Sequence, residues 1–386
     1  WVLQDGRDLF TVWEGSCYFH STVDVEYTQA PFYLSVWPEL LGYELDMWPR
    51  FSRQGQDSLG SRGLNTLFLS HDIGIGCRIE GQVYPHGMEV EENCNYVILS
   101  YAYWRRTGDD RLIHRHAGTI ARYLDFLLAA DSDGNGVPDL GVANTIDDAS
   151  PAVQFGREQV YLAVKALAAF ATGCECLRHS GIACNMEAYI EASGKIRALI
   201  TNQAWLGDHF AVLLDKSGSD IIHPWTGESM NLAEVPGWDS AHIYTGNGLA
   251  VLDMVGLDLG LDREKLQTDL RVATERCLAE YGCVHSDTPN DLLLPGSGSA
   301  GLAGRAMNPG WISMNMLRDI AAFYRGVDVR YLADRYWEWQ TLTNTQCPEL
   351  FFETFSGNNL RFYPRGVAIW GYFEALAGYV CDTVAG

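Results

Sequence analysis

The sequence lacks the features that define several protein classes. It has no run of about 18 consecutive apolar residues, the length that a membrane-spanning helix needs, and it has no basic patch. Its 49 acidic residues outnumber its 27 Lys and Arg residues, and the net charge of -22 repels a phosphate backbone. We therefore expect neither a membrane nor a nucleic acid as a partner, whereas neutral ligands are not penalised and a cation is favoured.

Cysteine is also too scarce for a disulfide scaffold, with ten in 386 residues. Cys174, Cys176 and Cys184 cluster, and Cys277 and Cys283 lie close together, but their spacing fits no zinc signature. We expect buried free thiols together with one or two local disulfides. This expectation favours an extracellular or secreted location over a cytoplasmic one.

Helix signals dominate from residue 89 onward. Apolar residues recur at three- and four-residue spacing in MEVEENCNYVILSYAYWRRTG, DDRLIHRHAGTIARYLDFLLAA and FGREQVYLAVKALAAFATG, and similar stretches follow. Strand-like alternation is scarce, and we find neither a repeat nor a Pro/Ser-rich linker. The pattern predicts an all-α fold, an (α/α)6 toroid, in a single domain over residues 1–386, with function on the loops at one end.

The number of readable helices falls short of a full toroid. Nine or ten can be recognised, whereas a double ring of six hairpins needs about twelve. We therefore expect the ring to be incomplete at its N-terminal side, with a missing segment or a second chain completing it.

Two acidic stretches lie in loop-like sequence. WEGSCYFHSTVDVEY places Glu14 in a stretch too rich in Gly, Ser and His for an amphipathic helix face, and Asp24 lies ten residues further on. GVANTIDDASPAVQFG places Thr145 and Asp147 directly before a strong helix signal. Taken alone, such acidic residues also serve as helix caps or complement the helix dipole.

These stretches, with two others, resemble known families. WEGSCYFHSTVDV resembles the nucleophile segment of the glycoside hydrolase family 52 β-xylosidases and of the family 116 β-glucosidases, and TIDDASPAVQFGREQVYLAVK resembles their acid/base segment. FLSHDIG, with His71 and Asp72, resembles a loop pair that contacts sugar hydroxyls in those families. FYPRGVAIWGYFEAL resembles their closing helix, whose arginine corresponds to Arg365, and Glu353 lies where family 116 has a sugar-binding Glu.

The resemblance implies a glycoside hydrolase that removes terminal β-linked sugars with retention of configuration, through two carboxyl groups about 5 Å apart. Glu14 is the expected nucleophile and Asp147 the expected acid/base. Trp225 and Trp311, in loop-like sequence, are candidates for stacking on a sugar ring. The expected substrate-binding residues are Asp24, His71, Asp72, Thr145, Trp311, Glu353 and Arg365.

The implied substrate is a small oligosaccharide or glycoside, with a β-xyloside ahead of a β-glucoside, and no organic cofactor is required. Both families carry an N-terminal β-sandwich and the first barrel helices ahead of the nucleophile, which this sequence does not contain. We therefore expect the chain to hold the catalytic barrel portion.

The stretch DSDGNGVPD forms a separate candidate site. Asp131, Asp133, Asn135 and Asp139 alternate with Gly and Ser, and Val137 can add a backbone carbonyl, so the oxygen-rich spacing suits calcium. A simple Asp/Gly turn explains the same residues equally well. A calcium ion here would steady the acid/base segment structurally.

A second hypothesis belongs to a different class. A non-catalytic extracellular protein could keep the toroid as a scaffold and bind glycans or assemble with neighbours. The distance between the carboxyl groups of Glu14 and Asp147 separates the two hypotheses, since about 5 Å favours the retaining enzyme.

Overall fold

The computed structural model describes residues 9–57, 63–84, 86–146, 149–223, 227–289, 310–343, 351–355 and 360–385. Helices dominate these ranges, as predicted: α1 (Val23–Val36), α2 (Pro38–Met47), α3 (Glu89–Thr107), α4 (Arg111–Ala129), α5 (Pro151–Gln154), α6 (Val160–Ser180), α7 (Met186–Asn202), α8 (Asn247–Met254), α9 (Arg263–Cys277), α10 (Ile312–Tyr324), α11 (Tyr331–Thr343) and α12 (Gly371–Ala377). Two small antiparallel hairpins pair β1 (Arg53–Gln54) with β2 (Leu67–Phe68), and β3 (Gly218–Ile222) with β4 (Ser229–Leu232). Two 3-10 helices, Gly15–Cys17 and Pro364–Trp370, lie next to the candidate site.

The inner helices close into a ring. α1 packs on α3, α3 on α6, α6 on α8, and α8 on α10. α10 packs on α12 and on the 3-10 helix Pro364–Trp370, and both of these contact α1. The outer helices α2, α4, α7, α9 and α11 alternate with the inner ones along the chain. This alternation is that of an (α/α)6 toroid, and the predicted fold class is confirmed.

Among the described residues, α1 takes the first inner place and contacts Pro364–Trp370, so the six inner positions close into a ring. The expectation of further barrel helices ahead of α1 stays a prediction. The sequence analysis counted too few helices because it did not recognise α1. This helix is buried on nearly all sides and contains Pro31, so its sequence lacks an amphipathic pattern. α8, with 8 residues, is too short for a clear periodicity. In the ranges given above, five outer helices accompany six inner positions.

Inner and outer helices differ in burial as their sequences require. On α4, Ile113, Ile120 and Leu124 are buried, whereas Arg115 and Arg122 face solvent. Val160–Ser180 (α6) is long and apolar enough to cross a membrane by length and composition alone, yet 89% of its most apolar window is buried inside the fold. α6 therefore occupies the position of a core helix.

The first turns of four inner segments meet at one end of the toroid. Asp24 in the first turn of α1 accepts a hydrogen bond from Arg365 in the first turn of Pro364–Trp370, with the atoms 2.6 Å apart. Glu91 in the first turn of α3 accepts from Tyr161 in the first turn of α6, also at 2.6 Å. Helix N-termini carry partial positive charge, so carboxylates are stabilised there. The candidate site is built at this end.

The cysteines carry no disulfide in the part of the chain that the structure describes. All nine cysteines there are free thiols. Cys277 and Cys283, which the sequence brought close together, donate instead to the carbonyls of Ala241 and Thr274, each over 3.5 Å. The expectation of local disulfides is not met among these residues.

Candidate functional site

Glu14 lies at the start of the 3-10 helix Gly15–Cys17 and is only 8% exposed. Gly15 follows with a φ of +52°, and a Cβ atom at Gly15 would come within 2.6 Å of the Arg361 carbonyl oxygen, so only glycine fits here. The Glu14 carboxylate accepts hydrogen bonds from the Thr22 hydroxyl at 2.6 Å and from the Tyr363 hydroxyl at 3.1 Å. Both bonds fix the orientation of the carboxylate and favour its ionised form.

Asp24, Thr145 and Arg365 form a closed set of hydrogen bonds. Asp24 Oδ2 accepts from Thr145 Oγ1 and from Arg365 Nη2, each at 2.6 Å, and Thr145 Oγ1 accepts from Arg365 Nη1 at 2.8 Å. All three side chains are buried. The structure thus joins three residues that lie far apart in sequence and that were each predicted to bind substrate.

His71 and Asp72 have distinct roles in this geometry. The Asp72 carboxylate accepts hydrogen bonds from the backbone N–H groups of Gly74, Val83 and Tyr84 at 2.9–3.1 Å, and it lies 3.1 Å from His71 Nδ1. His71 Nε2 points the other way, 3.8 Å from Asp24 Oδ1. Asp72 therefore orients His71, and His71 is the member of the pair that faces the other polar residues.

The pKa values of the ionisable side chains at the site are shifted in different directions. Burial alone would raise the pKa of Asp24, but the charges of Arg365 and His71 and the Thr145 hydrogen bond hold it below its usual value. Burial raises the pKa of Glu14, against the charges of His71 and Arg365. For His71, burial alone would lower the pKa, but the hydrogen bond to Asp72 and the charge of Asp24 raise it. Two neighbouring carboxyl groups are thus pushed in opposite directions, which is a feature of acid/base sites.

The sequence reasoning missed two glutamates on α3. Glu91 accepts hydrogen bonds from the Thr145 backbone N–H at 2.8 Å and from Lys165 Nζ at 2.6 Å, and so ties the segment before residue 147 to the core. Glu92 is fully buried, and the ligand atoms of Asp24, His71 and Glu92 lie within 4.8 Å of one another. Burial, with the charges of Asp24 and Glu91, raises the pKa of Glu92 well above its usual value, which favours the neutral carboxylic acid. The sequence feature that could have identified these two glutamates is the presence of three acidic residues, Glu89, Glu91 and Glu92, in the first turn of α3.

Several buried polar atoms at the site lack a hydrogen-bond partner among the described residues. Two are oxygens, Asp24 Oδ1 and Glu92 Oε1, and two are nitrogens, Arg365 Nε and Trp311 Nε1. The Arg365 guanidinium lies over the Trp311 ring, 5.3 Å from its centroid. Buried polar groups are normally satisfied, so this set favours a ligand that both donates and accepts hydrogen bonds. The ligand atoms of Asp24, His71 and Glu92 also lie close enough together to hold a metal ion. The positive charge of the adjacent Arg365 disfavours a metal ion at this position.

The remaining predicted residues fall into two groups. Glu353 is 6% exposed, and its charge contributes to the raised pKa of Arg365, so it lies near the predicted substrate contacts. Asp147 and Trp225 lie outside the described residues, and the distance between Glu14 and Asp147 remains a prediction.

The loop from Asp131 to Asp139 is held by its own hydrogen bonds. Asp131 accepts from the backbone N–H groups of Gly134, Asn135 and Gly136 at 2.7–3.1 Å. Asp139 accepts from Ser132 and from Arg157 Nη2, the latter at 2.6 Å. Asn135 accepts from the Val137 N–H at 2.8 Å, and Asp133 accepts from Asn135. These are the bonds of an Asp/Gly turn. Asp131 Oδ1 and Asp139 Oδ2 each accept two of them, whereas Asp131 Oδ2 and Asp139 Oδ1 accept one each and retain a lone pair that a cation could use.

The fold is an (α/α)6 toroid with a buried carboxylate and arginine cluster at one end. The chain belongs to the family of the Glutaminase A six helical-hairpin domain, which matches residues 15–222. A comparison with curated proteins gave no match.

Solved structures share the fold at low sequence identity. A GH78 family rhamnosidase of Bacillus sp. GL1 is 13% identical, with a TM-score of 0.57 over 93% of this chain and 32% of the rhamnosidase. A bacterial glucoamylase solved with acarbose is 11% identical, with a TM-score of 0.58 over 96% of this chain and 49% of the glucoamylase. An uncharacterized conserved protein from Thermus thermophilus is 10% identical, with a TM-score of 0.58 over 94% of this chain and 95% of that protein. The chain spans a third to a half of the two named enzymes.

Proposed function

We propose that the protein is a glycoside hydrolase that acts on a small glycoside or oligosaccharide at the toroid end that carries Glu14, Asp24 and Arg365. The buried polar atoms without partners carry the proposal. Because a sugar hydroxyl both donates and accepts hydrogen bonds, a ring with several hydroxyls can satisfy oxygens of Asp24 and Glu92 together with nitrogens of Arg365 and Trp311. The glycosidase fold of the structural neighbours supports the same class.

In the proposed mechanism, Glu14 attacks the anomeric carbon while Asp147 donates a proton to the leaving oxygen, and Asp147 then activates the water that hydrolyses the glycosyl-enzyme. Thr22 and Tyr363 support Glu14 in this role, since both donate to its carboxylate. Arg365 neutralises Asp24 and shares Thr145 with it, so Asp24 is placed to accept from a hydroxyl through its second oxygen.

The finer substrate assignment follows the motifs. We place a β-xyloside ahead of a β-glucoside, because EGSCYFHSTVDV and YPRG resemble the family 52 β-xylosidases, whereas HDIG and RGVAIW are common to both families. An extracellular location stays part of the proposal.

Hydrolysis of aryl β-xyloside and β-glucoside by wild type and variants tests this proposal. Glu14→Gln and Asp147→Asn are each expected to lower kcat by about 10³-fold or more, whereas Glu39→Gln, on an exposed position of α2, leaves kcat unchanged. The first-formed sugar anomer, followed by NMR, is expected to keep the substrate configuration. Inversion, or equal activity of wild type and Glu14→Gln, removes Glu14 from the nucleophile role.

The family description favours one alternative, hydrolysis of the glutamine carboxamide. Release of ammonia from glutamine by the same preparations tests it. Ammonia release without glycoside hydrolysis would replace the proposed function, and glycan binding without either activity would support a non-catalytic scaffold.

A further inference from the structure

A second cluster of potential ligands lies on the surface, at the opposite end of the toroid. It comprises Asp110, just before α4, His114 in the first turns of α4, and His179 in the last turn of α6. His179 packs against Trp104, with ring centroids 4.5 Å apart. Glu92 and Trp104 lie on the same helix, α3, twelve residues apart, so this cluster is about 18 Å from the candidate active site.

The ligand atoms have the spacing of a metal site. His179 Nε2 lies 2.8 Å and His114 Nε2 3.5 Å from the same oxygen, Asp110 Oδ2, and all three ligand atoms are within 4.8 Å of one another. Ligands of a tetrahedral zinc ion lie about 3.3 Å apart, because zinc–nitrogen and zinc–oxygen bonds are about 2.0 Å long. Small adjustments of the side chains would therefore bring all three to one ion.

Neither the N-terminus of α4 nor the neighbouring Arg111 side chain occupies the Asp110 carboxylate, so its oxygens can bind an ion. Asp110 occupies the N-cap position of α4 but makes no side-chain capping bond. The nearby Arg111 guanidinium binds the other carboxylate, Asp109, over 2.6 and 2.8 Å. The adjacent Trp104 ring restricts the His179 imidazole, which lowers the entropy cost of ordering it around an ion.

We propose that Asp110, His114 and His179 bind a zinc ion that links the α3–α4 connection to the end of α6. Three protein ligands and an open fourth position suit zinc, and imidazole nitrogens favour zinc over magnesium or calcium. The three side chains are 37–51% exposed, so the fourth position can hold water. The ion would act structurally, by joining two neighbouring helical hairpins far from the proposed catalysis.

Calorimetric titration of ZnCl2 into tag-free protein tests this proposal. Wild type is expected to bind one ion at this cluster, with a rise in Tm. His114→Ala and His179→Ala are each expected to weaken the binding at least tenfold. His116→Ala is the matched control, because His116 is on the same helix but lies 2.9 Å from Asp46 instead, and it is expected to bind zinc as wild type does.

Three further outcomes would overturn the zinc site. They are no binding by wild type, unchanged binding in His179→Ala, which would assign the zinc to another site such as the cluster of Asp24, His71 and Glu92, and full competition by millimolar MgCl2. Far-UV circular dichroism of each variant establishes that the fold is kept, and a tetrahedral Co²⁺ absorption band that is lost in His179→Ala gives a second readout.

Discussion

The Tyr363 hydroxyl donates a hydrogen bond to Glu14 Oε1 over 3.1 Å, although the two residues are 349 positions apart in sequence. Both side chains are buried. Hydrogen bonds to charged groups contribute about 1.5–3 kcal/mol, so this contact affects how readily Glu14 ionises.

Tyr363→Phe is expected to lower kcat/KM by about 10- to 100-fold, the equivalent of one hydrogen bond to a charged group. Burial already raises the pKa of Glu14, and a nucleophile must be ionised, so activity falls as the pH drops through that raised pKa. Losing the Tyr363 bond raises the pKa further and moves the acid limb of the pH–rate profile to higher pH. Tyr324→Phe is the control, since its hydroxyl bonds the Tyr379 carbonyl instead. An unmoved acid limb contradicts the role given to Tyr363.

Arg365→Met is expected to destabilise the fold by about 3–5 kcal/mol, because it leaves the buried Asp24 charge without its partner. In urea unfolding, the double variant Asp24→Asn/Arg365→Met is expected to lose less unfolding free energy than the sum of the losses in the two single variants. The same cycle at the exposed pair Asp328 and Arg330 is the control, and solvent screening is expected to leave its coupling much weaker than that of the buried pair. Additive losses at Asp24 and Arg365 would show that the buried pair is not coupled.

The same pair gives a pH dependence of stability. The pKa of Asp24 is lower in the folded state than its usual value. Its stabilising contribution is therefore complete above the unfolded pKa of about 3.9 and is lost as the pH falls through the lower folded pKa. Asp24→Asn is expected to flatten the unfolding free energy in this acid range.

Glu92→Gln and Glu92→Ala are expected to differ. Because burial raises the pKa of Glu92 and so favours its neutral form, Gln matches that form in charge, donor and acceptor, and kcat/KM is expected to fall less than tenfold. Ala removes the polar group and is expected to cost about 10- to 100-fold. Glu191→Gln, on the exposed side of α7, provides the control. Equal losses in both Glu92 variants would mean that Glu92 acts as an ionised group.

Calcium is expected to raise the Tm of wild type through the loop that contains Asp131. Binding adds about 2.7 kcal/mol to the unfolding free energy at a calcium concentration 100 times Kd, and EDTA reverses it. Asp131→Ala should abolish the shift, whereas Asp334→Asn, an exposed position on α11, should keep it. A Tm that calcium leaves unchanged favours the Asp/Gly turn, which the hydrogen bonds of Asp131 already complete.

The sequence predicted the toroid because amphipathic outer helices such as α4 carry a clear 3.6-residue period. It did not predict α1, whose burial on nearly all sides arises only once the ring closes around it. The cluster of Asp24, Thr145 and Arg365 was reached through resemblance to families, since nothing in the spacing of these residues fixes their contact. Glu92 was not predicted as a site residue for a related reason. Its burial depends on α1 and on the loop that carries His71, both of which lie opposite α3 in the folded chain.

The apolar character of α6 has a consequence for how the chain reaches this structure. α6 becomes buried when α3, α4, α7 and α8 surround it, and α8 follows it in the chain by more than sixty residues. During synthesis an apolar helix of 21 residues therefore stays partly uncovered for a time, and exposed apolar surface of this kind promotes aggregation. Recovery of active protein after refolding should accordingly fall as protein concentration rises.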